Sequence, residues 1–198
     1  MESYQIIIFA SGSGSNAENI INYFSKKTVK INWLILTNNS NAGVIERAKR
    51  LKINYKAFSK KDLYKNSFLK YIVSLNPTLI ILAGFLLKFP NTIINNFSKS
   101  IINIHPALLP KYGGKGMYGM HVHRTIIENK ESVSGITIHY VTSNYDEGPI
   151  IFQKEVSIDS SESANDLAKK IHDLEMKYFP VVVEKILIPW AKKRKNIM

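Results

Sequence analysis

At 198 residues, with 45% hydrophobic and 11% aromatic residues, the chain has the length and composition of one globular domain with a sizeable core. Cysteine is absent, which excludes disulfides, thiolate metal sites and cysteine nucleophiles. The net charge of +12 raises the question of a nucleic-acid partner. However, the lysines are dispersed and only Lys192-Lys193-Arg194-Lys195 forms a compact basic block, so attraction for phosphorylated or polyglutamylated small molecules is the expected use of that field.

The first predicted element is a strand over Tyr4–Ala10. It follows Met1-Glu2-Ser3 without a basic, apolar leader, and no apolar run approaches the roughly 20 residues that span a bilayer. A reducing cytoplasm is the expected compartment. Ser11-Gly12-Ser13-Gly14-Ser15-Asn16 then leads into a helix, with Ser15-Asn16-Ala17-Glu18 as its predicted capping box ahead of Ile20, Ile21 and Phe24. A glycine turn between a strand and a helix start gathers free N–H groups and the positive end of the helix dipole, a setting for an anion. Gly12-x-Gly14-x-x-Ala17 also satisfies the loose dinucleotide pattern. The next predicted strand, Ile31–Thr37, runs into Asn38-Asn39 with no acidic residue for a ribose hydroxyl. A phosphate monoester is the expected ligand, and a plain capped turn is the alternative.

Further strands are predicted at Tyr55–Phe58, Leu79–Ala83 and Ile101–His105. Ser59-Lys60-Lys61-Asp62 should cap one helix carrying Leu63, Phe68, Leu69 and Ile72. The alternation implies an α/β, doubly wound, mainly parallel twisted sheet with helices on both faces. In Ile102-Asn103-Ile104-His105, ended by Pro106, side chains alternate. Asn103 and His105 therefore share a face at the C-terminal end of a parallel strand, where such sheets hold ligands. An amide and an imidazole there can both donate to a developing oxyanion; satisfying the start of the loop is the plainer alternative. His121-x-His123 is not expected to bind a metal, because positions i and i+2 do not share a helix face.

Beyond residue 130, Gly135–Val141 and Pro149–Val156 are predicted to pair as an antiparallel hairpin at the end of the sheet. His139 is read there as a packed or surface-side histidine. Asp146 lies in the link, and a carboxylate near His105 would favour the charged ring and orient it. Ser163-Ala164-Asn165-Asp166 opens a long helix predicted to run through Tyr178, break at Pro180 and resume to Leu187. No serine sits in a nucleophile elbow, so direct attack by a substrate amine is the economical chemistry.

Taken in order, Ser11–Asn16, Leu82-Ala83-Gly84-Phe85-Leu86, Asn103–Tyr112 and His139–Thr142 with Asp146–Ile151 resemble the folate-dependent formyltransferases over almost the whole chain. Within that family, the Gly14-Ser15-Asn16 turn and His121-Val122-His123-Arg124 look like the purine-pathway branch. The resemblance implies transfer of a formyl group from 10-formyltetrahydrofolate, as co-substrate and without a metal, to the amine of 5-phosphoribosylglycinamide. It implies Asn103, His105 and Asp146 as the catalytic set, Gly14, Ser15 and Asn16 around the substrate phosphate, and Glu175 near the substrate amine and ribose. Leu86, Leu87, Lys88 and Phe89, with Asn103 and the segment Thr142, Ser143, Asn144, Tyr145 and Asp146, would line the folate site.

Residues 1–198 are expected to form one domain. Phosphate binding would fall to about residues 1–100, and folate binding and catalysis to about 101–190. Small molecules are the expected partners, with no nucleic acid and no membrane, in a monomer or homodimer. Lys88 stands where many relatives carry arginine, and Gly114–Gly119 looks longer than the minimal form of that loop. The alternatives are a formyltetrahydrofolate hydrolase, a tRNA or sugar-nucleotide formyltransferase, or a non-catalytic nucleotide-binding module. Most of those formyl enzymes carry a further domain, for which the chain is expected to have no room.

Overall fold

The computed structural model describes residues 3–195; side chains from 188 onward, including the basic block at 192–195, lie outside the described ones. Seven strands form one sheet: β1 (Ser3–Phe9), β2 (Lys30–Thr37), β3 (Asn54–Ala57), β4 (Leu79–Leu82), β5 (Ile101–His105), β6 (Val133–Tyr140) and β7 (Ile150–Ser157). Their order is β3-β2-β1-β4-β5-β6-β7. The first five strands pair in parallel, and β6 and β7 add the expected antiparallel hairpin at one end. The helices are α1 (Ser15–Ser25), α2 (Val44–Arg50), α3 (Lys60–Leu63), α4 (Asn66–Ser74), α5 (Asn91–Asn96), α6 (Met120–Glu128) and α7 (Ala164–Lys195). This is the doubly wound architecture that the strand–helix alternation predicts.

The central strands are apolar on both faces because each face is covered by helices. Ile6 and Ile8 of β1 join a core with Ile20 and Phe24 of α1, Val44 and Ala48 of α2, and Leu167, Ile171 and Phe179 of α7. Ile7 and Phe9, on the opposite face, join Leu63, Phe68, Ile72 and Phe89. The Phe9 ring meets Phe58, Phe85 and Phe89 edge-on at 5.0–6.0 Å between centroids, a favoured aromatic geometry. No helix among the described residues is long and apolar enough to cross a membrane.

Three local expectations are corrected. Ser15 does not cap α1. The N-cap is Gly14, in the left-handed conformation, with no side-chain cap, and Glu18 instead pairs with Arg47 and Arg50 of α2. The Ser59–Asp62 capping box forms, but the helix it opens ends after one turn. Leu63 and Phe68 are five residues apart, about 140° around a helix, and could not both face the sheet from one continuous helix. The break, with Lys65 extended, buries both. Finally, α7 passes unbroken through Pro180. The proline leaves the carbonyl of Met176 without its helical donor. Asn19 of α1 supplies one from its side-chain amide at 2.7 Å, so the helix continues.

Candidate active site

The chain leaves β1, builds β2 and β3 on one side, then returns to place β4 on the other. The connections leaving the C-terminal ends of β1 and β4 therefore turn to opposite faces of the sheet, and a crevice opens where the winding reverses. A cleft of about 590 Å³ occupies this place. Ser11 shapes its floor: its N–H donates to Gly84 O at 3.0 Å, and its hydroxyl donates to Asn38 at 2.6 Å and accepts from Leu86 N–H at 3.0 Å. The ends of β1, β2 and β4 are thereby tied together.

At one end of the cleft stands the turn Gly12–Asn16. Gly14 has φ 77°, and a Cβ there would come within 2.4–2.8 Å of Val44, so only glycine fits. Beyond it, the N–H groups of Ser15, Asn16 and Ala17 belong to the first turn of α1, where no intrahelical acceptor exists. Asn16 donates to Glu175 on α7 at 2.8 Å, which brings Glu175 to the same end. His172, one turn earlier on α7, lies 3.7 Å from Glu175, and that carboxylate raises the histidine above its ordinary pKa.

At the other end, β5 delivers Asn103 and His105 to one wall, as their alternation predicts. His105 is buried. Its Nε2 lies 2.7 Å from the carbonyl of Tyr112, which can only accept, so the neutral ring carries its proton there. The other nitrogen, Nδ1, faces Asp146 Oδ2 at 3.6 Å. Asp146 is brought to that position by the β6–β7 link and held by the N–H of Gly114 at 2.8 Å.

The resting charge of His105 differs from expectation. Burial lowers its pKa, and this outweighs the raising effect of Asp146 and of the Tyr112 carbonyl. The imidazole is therefore neutral at pH 7 and not held charged by the carboxylate. For Asp146 the balance runs the other way. Burial raises its pKa, but His139, His105 and the Gly114 N–H together keep it below the usual carboxylate value.

The sequence alone marks His139 as a packed or surface-side histidine. It is buried and lines the cleft. Antiparallel pairing sets it directly opposite Asn103. Its Nδ1 lies 2.9 Å from the Tyr140 carbonyl, and its Nε2 lies 3.1 Å from the Asn103 amide nitrogen and 3.5 Å from Asp146 Oδ1. The Asn103 side chain is thereby oriented. The period-two pattern of β6 showed which face His139 takes, but only the β5–β6 register shows what it meets. His123, to which the sequence spacing gives no role, also lines the cleft; it is buried on α6 while His121 is exposed, so the pair shares no face.

The remaining wall is apolar. Leu86, Leu87, Phe89, Val141 and Tyr145 line it together with Lys88 and Thr142–Asn144. Leu86 and Tyr145 are exposed large hydrophobic side chains, and the Lys88 ammonium lies 5.6 Å from the Tyr145 ring. Phe89 contributes less than its neighbours, because its ring is packed against Phe9 and Phe85 in the core. An apolar wall beside a few convergent polar groups is the make-up of a small-molecule site.

The family described as formyl transferase matches residues 4–183. A Bacillus subtilis phosphoribosylglycinamide formyltransferase is 33% identical over 190 residues, covering 91% of this chain and 93% of that protein. The chloroplastic enzyme of that name from Arabidopsis thaliana is 34% identical, covering 97% of this chain and 68% of the relative. The chain spans 63% of the length of the corresponding Vigna unguiculata protein. Among solved structures, glycinamide ribonucleotide transformylase 1 from Geobacillus kaustophilus superimposes with a TM-score of 0.84 at 30% identity, covering 94% of this chain and all of that one. The Bacillus halodurans phosphoribosylglycinamide formyltransferase gives 0.82 at 31% identity, covering 93% and 95%. The chain belongs to the formyl transferase family.

Proposed function

We propose that the chain transfers the formyl group of 10-formyltetrahydrofolate to the amine of 5-phosphoribosylglycinamide, a step of purine biosynthesis. The observation that carries this reading is the single cleft joining the Gly12–Asn16 turn to Asn103, His105 and Asp146. A phosphate on the turn and a reacting amine beside Glu175 fit one end, and a folate fits the apolar wall at the other. The names of the Bacillus subtilis and Escherichia coli relatives, each more than four-fifths covered by the chain, support the same acceptor. In this reading, about residues 1–100 carry the phosphate turn and about 101–190 most of the catalytic wall.

The bound folate supplies the formyl carbon as electrophile. Holding the acceptor by its phosphate makes the attack intramolecular in effect, which lowers the barrier by several kcal/mol in comparable sites. Asn103, oriented by His139, donates an amide hydrogen to the developing oxyanion. His105 enters neutral, and Nδ1 takes up the proton released by the attacking amine. Asp146, 3.6 Å away, stabilises the imidazolium so formed. The same proton then passes to the departing folate nitrogen, so the enzyme ends each cycle as it began. Leu86, Leu87, Lys88, Thr142, Ser143, Asn144 and Tyr145 hold the folate, and Glu175 orients the acceptor amine and ribose.

A spectrophotometric assay with 10-formyltetrahydrofolate and phosphoribosylglycinamide tests the reading. Formyl transfer that depends on the acceptor is the expected result. Consumption of the folate at the same rate without acceptor would make the protein a hydrolase and overturn the proposal.

A further inference from the structure

The backbone of the Gly12–Asn16 turn is held in place by α2. The Nε of Arg47 donates to the carbonyl of Ser13 at 2.8 Å, and the N–H of Val44 donates to the carbonyl of Gly12 at 3.1 Å. A trans peptide is planar, with its C=O and N–H pointing to opposite sides. With both carbonyls engaged by α2, the N–H groups of Ser13 and Gly14 are turned the other way, where they have no acceptor among the described residues. They continue the row of free N–H groups at Ser15, Asn16 and Ala17.

Arg47 is itself held. Its guanidinium pairs with Glu18 of α1, which also pairs with Arg50, and Glu18 is largely buried. A side chain from α2 is thus clamped to α1 while it grips the backbone between β1 and α1. Arg47 does not line the cleft.

We propose that Arg47 is a positioning residue for the acceptor's phosphoryl group. By fixing the Ser13–Gly14 peptide, it aims N–H groups at the phosphate without touching it, and Glu18 fixes Arg47 in turn. The inference rests on the phosphate reading of the turn. Loss of the guanidinium lets that peptide rotate, so the donors must be ordered again at each binding event.

The test measures steady-state kinetics of Arg47→Met, Arg47→Lys and Glu18→Gln, with Ser15→Ala as a change within the turn itself. Ribose 5-phosphate serves as a competitive probe of the phosphate end. Arg47→Met should raise the acceptor KM and the ribose 5-phosphate inhibition constant together, by about ten-fold, as loss of a charged hydrogen bond predicts. kcat should change less than about three-fold and the folate KM should not move, the pattern of lost uniform binding. Arg47→Lys, which reaches Ser13 or Glu18 but not both, should fall between, and it carries the test if Arg47→Met does not fold. An unchanged acceptor KM in Arg47→Met alongside a raised one in Ser15→Ala overturns the positioning role alone. If neither variant alters ribose 5-phosphate inhibition, the phosphate reading of the turn fails as well. Equal losses in kcat and in both KM values, with a lowered urea midpoint, would reduce Arg47 to a structural residue.

Discussion

His105 faces Asp146 across 3.6 Å through Nδ1, while its Nε2 is committed to the Tyr112 carbonyl at 2.7 Å. The ring is thus fixed in tautomer and orientation before any ligand arrives, with one nitrogen left for proton transfer. Replacing His105 with alanine should lower kcat by about 100- to 10,000-fold, the range for a lost general acid–base group. Asp146→Asn keeps the shape but removes the charge that stabilises the imidazolium, and a loss of similar order is expected. Single-turnover rates with both substrates saturating check this; near-normal turnover in His105→Ala would remove the ring from the chemistry.

Burial of neutral imidazoles makes stability depend on pH. The pKa values of His105 and His123 lie below the ordinary histidine value, in both cases chiefly through burial. The unfolded chain therefore binds protons near pH 6.5 that the native chain does not yet accept. Stability is complete above that pH and declines as pH falls from it toward the lowered native values. His172, which has its pKa raised by Glu175, opposes this trend weakly, because it is half exposed. Urea midpoints at pH 7.5 and 5.5 should show the decline, and His123→Gln should reduce it. A midpoint that rises on acidification would contradict the assignment.

The amide of Asn19 replaces the donor that Pro180 withholds from Met176. Asn19→Ala should leave that carbonyl without a protein partner and destabilise the fold by about 1–2 kcal/mol. In Asn19→Ala combined with Pro180→Ala, the helix regains its own N–H, and part of the loss should return. Denaturation of the four proteins of this cycle reads the coupling directly, and strict additivity would show that the two sites are independent.

Gly14 combines φ 77° with contact against Val44. Alanine there must both adopt the left-handed conformation and displace the start of α2. A loss of about 2–4 kcal/mol is expected, together with weaker binding of the acceptor. The second change Val44→Ala should relieve the steric part only. Calorimetry of the single and double variants tests this, and a Gly14→Ala protein as stable as the parent would refute it.

What the sequence determined by itself lies within a few residues of each signal. Unbroken isoleucine and leucine runs such as Ile6–Ile8 and Leu79–Leu82 specified buried parallel strands, because only a sheet covered on both faces can use them. Ser59 with Asp62, and Ser163 with Asp166, specified helix starts, since both partners of each capping box sit within one turn. Strand alternation put Asn103 and His105 on one face. Tertiary structure decided the rest through partners remote in the chain. Arg47 and Arg50 drew Glu18 away from a capping role, Asn19 carried α7 through Pro180, and the β5–β6 register set His139 against Asn103. The charge on His105 was settled the same way, because the desolvation that outweighs Asp146 comes from everything packed around the ring. A hydrogen bond between neighbours can be read from spacing; one that spans more than 150 residues exists only once the chain has closed on itself.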